Sequence, residues 1–307
     1  MMLRGAAYGI TASAIWGGMY VVSDVVLDTI PPFTLLTLRL ILGGLALLPF
    51  VLSTHGIPRL SARDALRSMG VGLIGFGVSL GAQFVGTDLS TAINGTLITS
   101  ASPAFIVLFG VMLLREQLTA ARLAAVGFAT IGVIIIVNPA SISFGTDTAL
   151  GDLSLALAAL TWGLYSVLVR MVSRQIDTLL VTLLAFMGGL GLTIPVSVME
   201  LQSRAIGEVT LLTVLGVLYL GLVSTAAAMW LWNRAFALVP ASTASLFFFA
   251  QPLVGALLSV VLLGQAMTPT LWIGSFLIVL GVLLALVNVP DGVKRRFLGI
   301  LRYNPNR

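Results

Sequence analysis

The chain has 307 residues, of which 58% are hydrophobic and 9% charged, with a mean hydropathy of +1.09 and a formal net charge of +5. A soluble domain carries about 25% charged residues, so these charges cannot build a water-soluble surface and the chain reads as an integral membrane protein. The basic residues punctuate apolar runs instead of forming a patch, which argues against a nucleic-acid partner. With no cysteine there is no disulfide, iron–sulfur cluster or thiol nucleophile.

A transmembrane helix needs about 20 apolar residues, and the charges cut the chain into runs of that length. The first span, 5–27, is long for the apolar region of a signal peptide, and Ile15-Trp16-Gly17 is a poor cleavage site, so it is read as retained. Spans at 33–53, 68–87, 91–114 and 121–138 follow. After a longer connection near Asn138 to Gly151 come 150–170, 178–199 and 209–232. The uncharged stretch from Ala235 to Val289 is too long for one span. Gly264 to Pro269 supplies a turn inside it, between spans 241–264 and 269–289.

Ten spans place both termini on one side of the membrane. Fourteen of the sixteen basic residues then fall on that side, Arg204 falls on the other, and Arg39 lies within the second span. By the positive-inside rule the termini are expected in the cytoplasm, and the expected location is the plasma (inner) membrane.

AIWGG at 14–18 returns as LTWGL at 160–164, an offset of 146. Gly43-Gly44-Leu45 matches Gly188-Gly189-Leu190, while Pro103 matches Pro252 and Gly132 matches Gly281 at an offset of 149. Asp24 and Asp28 fall on Arg170 and Arg174, the swap of charge expected if equivalent ends face opposite sides of the membrane. The expected architecture is therefore all-α: ten transmembrane helices as a 5+5 inverted-topology repeat around a central cavity. The halves would be residues 1–145 and 146–290, followed by a basic cytoplasmic tail at 291–307. Inverted repeats of this kind are characteristic of secondary transporters.

Several of these residues resemble a known family. The Trp-Gly pairs, Arg39 after Pro32-Phe33, and LLREQLTAARLAAVGFATIGVIIIV at 113–137 are similar to the EamA-type branch of the drug/metabolite transporter superfamily. The echo LLGQAMTPTLWIGSFLIVLGV at 262–282 has Gln265 where the second copy usually carries Glu. The resemblance implies an exporter of small organic solutes, often amino acids or other metabolites, with Trp16 and Trp162 facing a central cavity.

Polar groups in lipid are costly unless they face the interior, which makes mid-span polar and aromatic residues the substrate candidates. These are Trp16, Tyr20, Gln83, Thr99, Ser102, Trp162, Tyr165, Trp230 and Gln251. The alternative for each hydroxyl is a bond to its own helix backbone, and for each Trp a place in the interfacial belt. Pro103 and Pro252 each remove a backbone donor and read as hinges or as packing kinks. Arg39 either pairs with Asp24 in span one or extends to the outer headgroups; in the first case exchanging the two charges restores function.

No loop can hold an ATP-binding fold, and deep carboxylates are scarce, so a facilitative uniporter or exchanger working by alternating access is expected. The alternatives are proton-coupled efflux of drugs or metabolites and a lipid-linked headgroup flippase. A membrane-embedded enzyme needs clustered catalytic groups that the sequence does not show. No cofactor or metal is expected. The partners are a small-molecule solute and the bilayer, with the chain a monomer or weak dimer.

Overall fold

The computed structural model describes residues 1–56, 60–90, 98–117, 119–137, 148–254 and 269–287. Among these the chain forms helices joined by short turns, with no strand. In chain order they are α1 (Met2–Leu27), α2 (Pro32–His55), α3 (Ala62–Leu89), α4 (Ser102–Leu114) and α5 (Ala120–Val137). They continue with α6 (Ala149–Val172), α7 (Thr178–Ser203), α8 (Leu211–Leu238), α9 (Ala241–Val254) and α10 (Pro269–Val287). By length and hydropathy, α3, α6, α7 and α8 and the stretch Pro32–Thr54 of α2 can each cross a membrane. Asn94, Gln265 and the 291–307 tail lie outside the described residues.

Local chemistry sets the helix ends. Pro32 occupies the first turn of α2, where its missing N–H costs nothing. Ser61 accepts from the Asp64 amide at the start of α3, Asp177 caps α7, and Thr210 and Thr213 cap each other reciprocally at the start of α8. The Ser61 cap brings the start of α3 to Ala62, six residues before the expected span at 68, and α8 continues to Leu238 rather than ending at 232. Both middle helices widen to π-helix, α3 over Leu73–Ser79 and α8 over Tyr219–Ala227. The two stretches begin 146 residues apart.

The packing partners follow a pattern. The helix pairs α1–α8 and α6–α3, α2–α8 and α7–α3, and α4–α6 and α9–α1 all make contact, as do α2–α7 and α5–α10. Replacing each helix by the one five places along returns the same set. One large core runs through α1–α4 and α6–α9. A second, smaller cluster joins α5 and α10 to Leu246 and Phe249 of α9. There, Gly132 lies against the backbone of Gly274, and Gly281 against that of Ala125; an added Cβ on either would sit 2.6 Å from the facing carbonyl oxygen. Lipid tails are as apolar as leucine, so close backbone approach of this kind is what holds helices together in a bilayer.

Candidate functional site: a tryptophan-lined central cavity

Trp16 of α1 and Trp162 of α6 meet edge to face, with ring centroids 5.7 Å apart. Trp232 of α8 packs on both, at 5.2 and 6.3 Å. Phe248 of α9 closes on Trp16 at 6.5 Å and on Trp232 at 5.8 Å. Beside this cluster is a cavity of about 30 Å³. That is room for roughly two water molecules and far below the roughly 300–1,000 Å³ of a site enclosing an organic ligand.

Eight of the described lining residues form four pairs at the two offsets found in the sequence. Trp16 pairs with Trp162 and Gln83 with Met229 at 146; Thr99 pairs with Phe248 and Ser102 with Gln251 at 149. Pro103 and Pro252 each follow the last of these. Pro103 lies in the first turn of α4, and the Thr99 carbonyl opposite its missing N–H accepts the Ser102 hydroxyl at 2.7 Å. Pro252 lies in α9 just beyond a tightened 3₁₀ stretch, Ser245–Phe249.

The cavity therefore brings together Trp16, Gln83, Thr99, Ser102, Trp162 and Gln251. Tyr165 stands behind it, its ring tilted against Trp162 with centroids 5.0 Å apart. Its hydroxyl donates to Asn233 at 2.9 Å, and the Asn233 amide donates to Thr182 at 2.9 Å, tying α6 to α8 and α7. Trp230 packs on Tyr8 at 6.1 Å and does not line the cavity. Its neighbour Trp232 joins the cluster instead, because two residues along an α-helix turn the side chain by about 200°. The side chains of Tyr20 and Asp24 lie outside the described residues.

The polar atoms of the lining are unequally satisfied. The Trp16 indole donates to the Ser224 carbonyl at 3.0 Å and the Trp232 indole to the Ser166 hydroxyl at 3.4 Å. Ser79 donates to the Ala158 carbonyl at 2.8 Å. Trp162 Nε1 and Gln251 Oε1, both buried, have no hydrogen-bond partner among the described residues. An unpaired buried donor or acceptor costs about 1–3 kcal/mol. No ionisable side chain is among the described lining residues.

Arg39 is 1% exposed, so its guanidinium turns into the bundle and does not extend to the headgroups. Nε donates to Thr225 at 3.1 Å, Nη2 reaches Ser224 and the Met19 sulfur, each at 3.3 Å, and the group lies 5.3 Å from the Phe84 ring centre. Met19 separates it from the cavity.

Each end of the bundle carries a polar clasp between helices. At one end the Glu116 carboxylate accepts the Ala241 and Ser242 amides, at 2.7 and 3.0 Å, and the Ser242 hydroxyl at 2.6 Å. Arg170, 3.7 Å from Glu116, also donates to the Phe236 carbonyl. A carboxylate at the N-terminus of α9 is favoured by the unpaired amides there. Arg115, left-handed at φ 54°, makes the turn out of α4 just before Glu116. At the other end Glu200 accepts the Phe33 and Thr34 amides at the start of α2, and Arg204 pairs with Asp88 at 3.2 Å and donates to the Leu27 carbonyl. The sequence reading does not pick out these clasps. Their only trace there is an isolated carboxylate at a helix end, with the partners more than 50 residues away.

An uncharacterized transporter of Archaeoglobus fulgidus is 25% identical over 273 residues, covering 88% of this chain and 93% of that protein. The uncharacterized transporter YetK of Bacillus subtilis is 26% identical over 282 residues, covering 90% and 84%. A solved crystal structure superposes with a TM-score of 0.79 at 24% identity, over 92% of this chain and 97% of its own, which shows a shared fold. A family model matches residues 3–138 and 149–287, and with both stretches covered the chain belongs to the EamA-like transporter family of multi-pass membrane proteins.

Proposed function

We propose that the protein is a ten-span secondary transporter that exports small organic solutes, amino acids or aromatic and amphipathic metabolites, through the tryptophan-lined cavity by alternating access. The observation that carries this reading is the cavity itself. It lies where six helices meet, eight of its lining residues form four pairs at the repeat offsets, and the bundle carries a separate clasp at each end. A transporter needs one central site and two gates that open in turn.

The inverted repeat, with residues 1–145 and 146–290 as its halves, is supported by three things: the helix contacts that survive exchange of the halves, the matched π-helical stretches, and the two stretches matched by the family model. Placing both termini in the cytoplasm puts the Glu116–Arg170 clasp on the inner face and the Arg204–Asp88 clasp on the outer face. The uncharged lining favours a facilitative uniporter or exchanger over proton coupling, since a coupled proton needs a titratable group at the site.

The test is flux of a solute panel (neutral amino acids, aromatic metabolites, amphipathic amines) into proteoliposomes, with and without a pH gradient. Saturable flux without the gradient is expected. No flux of any solute in the panel overturns the transport reading, and an absolute need for the gradient overturns the uniporter.

A further inference from the structure

Three tryptophans touch one another at the cavity, and two of them are hydrogen-bonded within the protein. Trp16 donates to the Ser224 carbonyl in the π-helical stretch of α8, and Trp232 donates to Ser166. Trp162 occupies the position equivalent to Trp16, yet its indole N–H has no partner among the described residues. On α9, Gln251 is 7% exposed and its Oε1 is likewise unpartnered. Both side chains line the cavity. The other polar lining side chains are different: the hydroxyls of Ser79 and Ser102 donate to carbonyls, and Gln83 and Thr99 are engaged in interactions of their own.

Buried polar groups are nearly always paired, and the exceptions call for an explanation. Two exceptions on one cavity, one a donor and the other an acceptor, have a common explanation in a ligand that supplies both complements. The same wall sets the ligand's charge. An ion of one sign moved into this lining would lose its hydration and find no counter-charge there, whereas a zwitterion brings its own. A cation is disfavoured further by Arg39, one side chain away behind Met19.

We propose that Trp162 and Gln251 are the specificity-determining pair, the indole N–H donating to the solute and the amide oxygen accepting from it. The solute is a net-neutral amphipathic molecule that carries one acceptor and one donor beside an apolar body. This inference rests on the transport reading above. The polar wall of α3 and α4 is structural, although it has more polar side chains.

Three phenyl solutes of similar size separate the charge states: L-phenylalanine (net neutral), L-phenylalaninamide (cationic) and 3-phenylpropionate (anionic). Counterflow in proteoliposomes is expected to favour the first by about tenfold or more. Trp162→Phe and Gln251→Leu should each raise its KM about tenfold, the size of one lost hydrogen bond. Gln251→Glu should shift preference toward L-phenylalaninamide.

Thermal midpoints in detergent provide an independent readout. Gln251→Leu removes an unpaired polar group, so its midpoint is expected to equal or exceed that of wild type. Trp162→Phe should be more stable than Trp16→Phe, which also strips a partner from Ser224. An unchanged KM in Trp162→Phe and Gln251→Leu, or a wild type that prefers either charged solute, overturns the inference and leaves the transport reading standing. Absence of flux across the whole panel described above overturns both.

Discussion

The lining side chains from α1, α3 and α4 and those from α6, α8 and α9 include four pairs at offsets of 146 and 149. Their chemistry differs. The first presents Ser79, Gln83, Thr99 and Ser102. The second answers with Met229 and Phe248, and keeps its polar atoms at Trp162 and Gln251 alone. The helices with more polar lining residues have them engaged, while those with the more apolar lining carry the unpartnered donor and acceptor. A count of polar residues is thus a poor guide to where a solute is held; the partners those residues already have decide it.

The same comparison extends to the helix contacts, and substitutions at paired positions would break or sharpen it. The largest effect is expected at Gly188, where an added Cβ would sit 1.8 Å from the Met69 carbonyl oxygen, a backbone atom that cannot step aside. At the paired Gly43 the nearest neighbour is a Thr225 methyl at 3.0 Å. Gly188→Val should destabilise by about 3 kcal/mol or more and abolish folded yield, while Gly43→Ala should be recovered folded. Thermal midpoints and size-exclusion profiles read the difference, and equal losses would show that α3–α7 and α2–α8 pack alike.

Next come the two clasps. Each of Glu116→Ala and Glu200→Ala removes a carboxylate that accepts charge-assisted bonds from a helix N-terminus, with an expected cost of about 2 kcal/mol in thermal or denaturant unfolding. If the clasps are gates, both variants should also leak solute in proteoliposomes; tight vesicles with a lowered midpoint would make the clasps structural only.

Gly132→Ala and Gly281→Ala test the opposite expectation. Both added methyls would meet a facing carbonyl oxygen at 2.6 Å, so the two should cost the same, about 1–2 kcal/mol each. A marked inequality would break the symmetry of the α5–α10 pair. The smallest effect is expected at Arg67, whose ion pair with Asp64 is 49% and 33% exposed. Arg67→Ala should change stability by less than about 0.5 kcal/mol.

The all-helical membrane character and the family were legible in the sequence, because charges, prolines and glycines interrupt apolar runs at lengths the bilayer imposes. The rotation of each helix was not. In a membrane the outward face is as apolar as the inward one, so hydropathy does not say which side of a helix is inside. For that reason the choice between Trp230 and Trp232, the inward turn of Arg39, and the clasps linking Glu116 to α9 and Glu200 to α2 were decided only by the tertiary structure. The same holds for hydrogen-bond partners. Trp16 and Trp162 look alike in the sequence, and only the tertiary structure reveals that Trp16 has found an acceptor on α8 while the Trp162 N–H is buried with no partner among the described residues.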